Sequence, residues 1–209
     1  KLNGQNAFEI RWVADDIKPH KKYYYAYQEF RKTPIIVVDD DVVYDPSMVR
    51  ALVASYKKHP HCISCHRANL MLLRADKTFR AYQTWPMGYT LLSDTPSYQL
   101  LPTGVGGVLY PPNSLPEYTF NTDVIKRYCL LCDDLWLKMM TVLNEYPTVV
   151  VKTHRPYKLI DGSQDVALWK ENVKGSNNDI TLHAICEYIY KSIPQGSVCM
   201  ERIRKDRFC

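Results

Sequence analysis

Ile35-Ile36-Val37-Val38-Asp39-Asp40-Asp41 runs four β-branched apolar residues straight into three carboxylates. An apolar run of this kind predicts a buried strand of parallel type, and its polar end marks the rim of a sheet. Ligands of open α/β sheets bind outside the carboxyl ends of the strands. Three adjacent acids there repel one another unless a cation compensates them. Carboxylates are also the oxygen ligands that Mg²⁺ or Mn²⁺ takes, together with substrate phosphates. The junction therefore predicts a metal–phosphate site. The plainer reading is a solvated acidic turn before the helix that follows Asp45-Pro46.

Working outward, residues 8–13 alternate as a strand and end in Ala14-Asp15-Asp16, and a helix is expected from Pro19 to Phe30, with proline in its first turn. After the run at 35–38, a helix from Pro46 to Lys58 carries Val49, Leu52, Val53 and Tyr56 as a core-facing stripe. This β-α-β-α order predicts a parallel sheet with crossover helices. Residues 70–73 and 78–85 read as short antiparallel pieces around a hairpin turn at Arg74-Ala75-Asp76-Lys77. Gly104, Gly106 and Gly107 then cluster, as a close approach to a ligand or as a simple turn before a strand. Helical spacing resumes with Trp136, Met139, Met140 and Leu143 on one face. Asp133 and Asp134 stand at its start, where capping explains one acid but does not require two. Residues 148–152 predict a further strand, ending at Thr153-His154-Arg155, and 175–179 lead into a last long helix.

With 209 residues and 46% hydrophobic composition the chain can bury a full core, and a single domain, 1–209, is expected. A net charge of +5 with scattered basic residues predicts no nucleic-acid partner. No run approaches the ~18 apolar residues of a membrane span. The expected location is cytoplasmic, at most peripheral to a membrane surface through the basic tail at 201–207. Lys1 in place of Met suggests a trimmed start. Seven cysteines with irregular spacing fit a reduced intracellular protein better than a disulfide framework. Cys62-Ile63-Ser64-Cys65-His66 matches a haem-attachment pattern and half a zinc site, but its alternation reads more simply as a strand leaving the core.

Taken together, "IRWVADDIKPHKKYYYA", "IIVVDDDVVYDP", "PTGVGGVLYPPNSL", "CDDLWLK" and "LWKENVKGSNND" resemble glycosyltransferases of the GT-A fold, over roughly residues 8 to 180. Within that group the set is similar to sugar-nucleotide transferases of bacterial capsule and lipopolysaccharide clusters and of large algal viruses. The resemblance implies an α/β fold of GT-A (Rossmann-like) type, a mixed, mainly parallel sheet flanked by helices. Residues 1–60 would form its nucleotide- and metal-binding half and 61–209 its acceptor and catalytic half. It implies that Asp39-Asp40-Asp41 is a DXD motif, with Asp41 the direct metal ligand, Asp39 nearer the ribose and His154 completing the metal site. It further implies that Gly104, Gly106 and Gly107 line the donor sugar, and that Lys21 and Lys22 meet the diphosphate with Asp15 or Asp16 near the nucleotide. Asp133 and Asp134 match the acidic pair supplying the general base, Asp134 foremost. The implied cofactor is Mn²⁺ or Mg²⁺, the donor a nucleotide-diphosphate sugar, with a UDP-sugar expected, and the acceptor a glycan or glycolipid. Family members begin with a strand and helix cradling the base, and only seven residues precede Phe8. Either the native start is missing, or that edge is built differently; further domains in the native protein are compatible with both.

These residue types suit the chemistry. Displacing a nucleoside diphosphate from an anomeric carbon builds charge that a divalent cation and a lysine stabilise. A carboxylate on the opposite face accepts the acceptor's proton, around an oxocarbenium-like transition state. That arrangement implies inversion. A metal-dependent phosphoesterase or nucleotidyltransferase, and a non-catalytic sugar-nucleotide-binding module, are the alternative readings.

Overall fold

The computed structural model describes residues 8–152, 157–160 and 177–206. A 3-10 turn at Lys18–His20 leads into helix α1 (Lys21–Glu29). Strands β1 (Ile35–Val37) and β2 (Val42–Val43), helix α2 (Met48–Lys58), and strands β3 (Ile63–Cys65) and β4 (Ala68–Leu70) follow. Then come β5 (Leu100–Pro102), β6 (Val108–Tyr110), helices α3 (Thr122–Tyr128) and α4 (Asp133–Leu143), and strands β7 (Thr148–Val150) and β8 (Lys158–Leu159). Two helices, α5 (Asn177–Ser192) and α6 (Gly196–Lys205), end the described chain.

The fold is mixed α/β around an open four-stranded sheet of order β1-β6-β3-β7. β6 runs antiparallel to both β1 and β3, whereas β3 and β7 pair in parallel. Three of the four strands thus point one way, but the reversed β6 lies between β1 and β3. This corrects the expectation of a mainly parallel pairing. The chain reverses between β4 and β5, which pair antiparallel, and β6 continues in the direction of β5 beyond the glycine turn, antiparallel to β3. Two ribbons, β2–β8 and β4–β5, flank the sheet.

Side chains alternate across the sheet as the strand period demands. On one face Leu109 and Ile36 meet Met48 and Leu52 of α2. On the other, Val37, Val108, Tyr110 and Val150 join Tyr23 and Tyr27 of α1 and the apolar residues of α4, α5 and α6. Of the expected core-facing stripe of α2, Leu52 is buried and Val53 and Tyr56 pack beside it, whereas Val49 is 51% exposed and Met48, 6% exposed, takes its place. Met48 turns inward because Gly107 leaves room for it, its sulfur lying 3.1 Å from where a Cβ would stand.

Three other readings change. β1 is an edge strand whose Ile35 and Ile36 are half-buried, so the apolar run is not buried on all sides. β3 does not leave the core: Ile63, Ser64 and Cys65 are all buried at the sheet centre. Residues 8–13 form no strand; without a pairing partner, Trp12 stays 93% exposed. The hairpin turn at Arg74–Lys77 is present, closed by Lys77 N–H donating to Arg74 O at 2.8 Å, but residues 78–85 form only a bridge at Phe79 and a 3-10 turn. Among the described residues no helix is long and apolar enough to cross a membrane, and the six described cysteines are free. His66 is occupied structurally, its Nε2 donating to Met48 O at 3.1 Å.

Candidate active site

Three elements bring their chemistry to one point beside Gly104. β1 delivers Asp39, whose backbone N–H donates to the Tyr44 hydroxyl at 2.9 Å. α4 opens with Asp133 and Asp134, acids that the positive end of the helix favours. α1 contributes Lys22, whose Nζ lies 2.6 Å from Asp39 Oδ1 and 3.6 Å from Asp133 Oδ2. Gly104 N–H donates to Asp134 Oδ1 at 3.0 Å. A Cβ on Gly104 would stand 3.4 Å from both Asp134 Oδ1 and Asp39 Oδ1, and 3.6 Å from Lys22 Nζ. The missing side chain is what lets the strand-end acid, the helix acids and the lysine share one small volume.

Electrostatics follow from that crowding. Burial of the inward carboxylate, then the neighbouring Asp133, push Asp134 well above the usual carboxylate range, with Lys22 opposing. Burial works against the charge of Lys22, but Asp133, Asp39 and Asp134 outweigh it and hold the ammonium above the ordinary lysine range. Asp39 Oδ1 is buried without a directional hydrogen bond, so its contact with Lys22 is a charge pairing.

The remaining candidates divide. Asp40 is exposed, and Asp41 is half-buried with its backbone oxygen accepting from Ile160 N–H at 2.9 Å. Lys21 is not brought to the acids: its Nζ sits 2.9 Å from Asp16 Oδ1 on the surface, where Lys18 pairs with the same carboxylate at 2.6 Å. Asp15 faces Lys126 at 3.6 Å. Gly106 and Gly107 serve packing rather than lining the acid cluster. A Cβ on Gly106 would come within 2.7 Å of Arg67 Cβ, and Gly107 has φ +82° against Met48. His154 lies outside the described residues.

Several neighbours were not singled out from sequence. Arg67, clasped by Gly106, donates from Nη1 to Thr103 Oγ1 at 2.8 Å. Tyr82, raised to about 12 by burial and then by Asp134, accepts from Asn69 Nδ2 at 3.2 Å. His20 is buried, with Nε2 2.8 Å from Cys129 O and Nδ1 2.9 Å from Tyr23 Oη. A carbonyl only accepts, so Nε2 carries the proton and Nδ1 accepts from the tyrosine. Burial lowers its pKa, which agrees with this neutral form. The one available signal was the "PHKK" run, which puts a histidine beside the site lysine.

Among the described residues no three His, Cys, Asp or Glu side chains converge as a metal cage. Mg²⁺-type ions are usually held by one or two carboxylates plus substrate phosphates. The charges of Asp39 and Asp41 both bear on the Tyr44 hydroxyl. The chain matches no protein-family model, no curated protein and no solved structure.

Proposed function

We propose that this chain is a GT-A-type glycosyltransferase. It moves a sugar from a nucleotide-diphosphate donor, expected to be a UDP-sugar, to a glycan or glycolipid acceptor, with inversion and with Mn²⁺ or Mg²⁺. The observation that carries this reading is the meeting of Asp39, Lys22 and the Asp133-Asp134 pair beside Gly104. Transfer needs a cationic group for the leaving diphosphate and a carboxylate base for the acceptor, and these residues offer both within one small volume.

Asp39 and Asp41 would hold the metal ion, which supplies Lewis-acid stabilisation of the leaving diphosphate. Lys22 adds a second positive charge to that oxygen cluster. Asp134 takes the acceptor hydroxyl's proton; its raised pKa makes it a stronger base than a surface carboxylate. Gly104 N–H fixes which oxygen of Asp134 is held by backbone, leaving the other for the acceptor. Asp133 helps to hold Lys22 and, as a like charge beside Asp134, raises the basicity of that carboxylate.

Calorimetric titration with nucleoside diphosphates and their sugars, with and without Mn²⁺, on wild type and Asp41→Ala tests this. Metal-dependent binding that the substitution removes is the expected result. Absence of binding to every nucleotide with metal present overturns it. Release of free phosphate without any sugar transfer would favour the phosphoesterase reading instead.

A further inference from the structure

We propose that Lys22 is a tethered cation that occupies the acid cluster until a diphosphate draws it away, so that the divalent ion and the nucleotide bind cooperatively. This rests on the nucleotide–metal reading above and adds an order of events to it. Lys22 Nζ lies 2.6 Å from Asp39 Oδ1 and 3.6 Å from Asp133 Oδ2, with a side chain only 29% exposed. The ammonium therefore stands among the carboxylates that a divalent cation would seek. Two cations cannot share Asp39 Oδ1 without strong repulsion, because the site is largely screened from water.

The root of the lysine is fixed, and among the described residues only its two carboxylate contacts hold the tip. Tyr23, the next residue, is wholly buried, and His20 pins the start of α1 to Cys129 O at 2.8 Å. The four-carbon stem beyond is flexible, and an ammonium bonds phosphate oxygens as readily as carboxylates. Gly104 adds no side chain to block the movement, its notional Cβ lying 3.6 Å from Nζ. A diphosphate thus offers Lys22 a new partner at the moment that the metal needs Asp39. By linkage, whatever factor the diphosphate adds to metal affinity, the metal adds to diphosphate affinity.

Lys21 supplies the control. It lies one residue away and carries the same charge, but its Nζ is committed to Asp16 on the surface at 2.9 Å. Mn²⁺ binding to the whole chain, followed by electron paramagnetic resonance with and without UDP, then GDP and CDP, makes the test. Wild type should bind Mn²⁺ weakly alone and about tenfold more tightly with its nucleotide, a coupling of ordinary size. Lys22→Met should bind Mn²⁺ alone about tenfold more tightly than wild type, with little left for the nucleotide to add. Lys21→Met should behave as wild type. Should Lys22→Met lose its thermal transition, Lys22→Gln carries the same comparison. Equal gains in Lys22→Met and Lys21→Met would reduce the effect to net charge and overturn the proposal. So would an unchanged Lys22→Met beside a wild type that still binds Mn²⁺ and nucleotide together, a result that leaves the transferase reading standing. Failure of every variant to bind Mn²⁺ with any nucleotide overturns the transferase reading itself.

Discussion

At the scale of single residues, the proposed transfer rests on Asp134 and Lys22. Asp134→Asn preserves shape and still offers an oxygen to Gly104 N–H, 3.0 Å away in the native chain, but removes the proton acceptor. The expected outcome is a fall in kcat of about 10²–10⁴-fold, with nucleotide affinity held, measured by steady-state transfer and by titration. Asp134 was legible because a doubled acid at a helix start exceeds what capping needs. The choice between Lys21 and Lys22 was not. Neighbours on a helix diverge by ~100°, so only one of two adjacent lysines can face the site. Which one does is decided by the buried Tyr23 and Tyr27, whose packing sets the rotation of α1.

At the scale of elements, the glycine turn between β5 and β6 separates two roles that one motif had merged. Gly106→Ala would drive a methyl to 2.7 Å from Arg67 Cβ and 2.9 Å from its backbone nitrogen. That overpacking should cost about 1–3 kcal/mol, seen as a lower Tm in a thermal melt. Gly104→Ala meets only side-chain tips, carboxylate oxygens at 3.4 Å and Lys22 Nζ at 3.6 Å, so its Tm should stay close to wild type. Its methyl would instead fill the volume shared by Asp39 and Asp134, weakening nucleotide-sugar binding about tenfold, or ~1.4 kcal/mol, by calorimetry. Helices α1, α2 and α4 could be read from spacing because their signals are local. Strand direction could not, because the reversed pairing of β6 with β1 joins Ile36 to Leu109 across the chain. Likewise the alternation at residues 8–13 describes a surface suited to pairing, while Trp12, 93% exposed, finds no partner.

At the scale of the molecule, α4 ties the site to β7 through a lysine that carries no signal of its role inside "CDDLWLK". Lys138 is fully buried, and its Nζ donates to Thr148 Oγ1 of β7 at 3.2 Å. Burial lowers its pKa to about 7, against the opposing field of Asp206, which itself accepts from the Ser97 hydroxyl at 2.8 Å. The folded pKa lies below the unfolded value, so the sign is fixed. This group's contribution is fully present above the ordinary lysine range, near pH 10.5, and is lost as pH falls to about 7. The loss runs at about 1.4 kcal/mol per pH unit across that window. Asp134 acts in the opposite sense, its raised pKa withdrawing stability as pH rises, so the wild-type curve alone mixes the two. The difference between wild type and Lys138→Met isolates the lysine, since the substitution keeps the stem and removes the amine. At pH 7 Lys138→Met should be the more stable by about 1–4 kcal/mol, as when other buried charges give way to apolar groups of similar volume. Thermal melts from pH 7 to pH 9 should show that advantage shrinking, as the proton that the unfolded lysine carries costs less to release on folding. An advantage that is constant with pH would mean that Lys138 is charged in the fold throughout, balanced by Asp206 across the core.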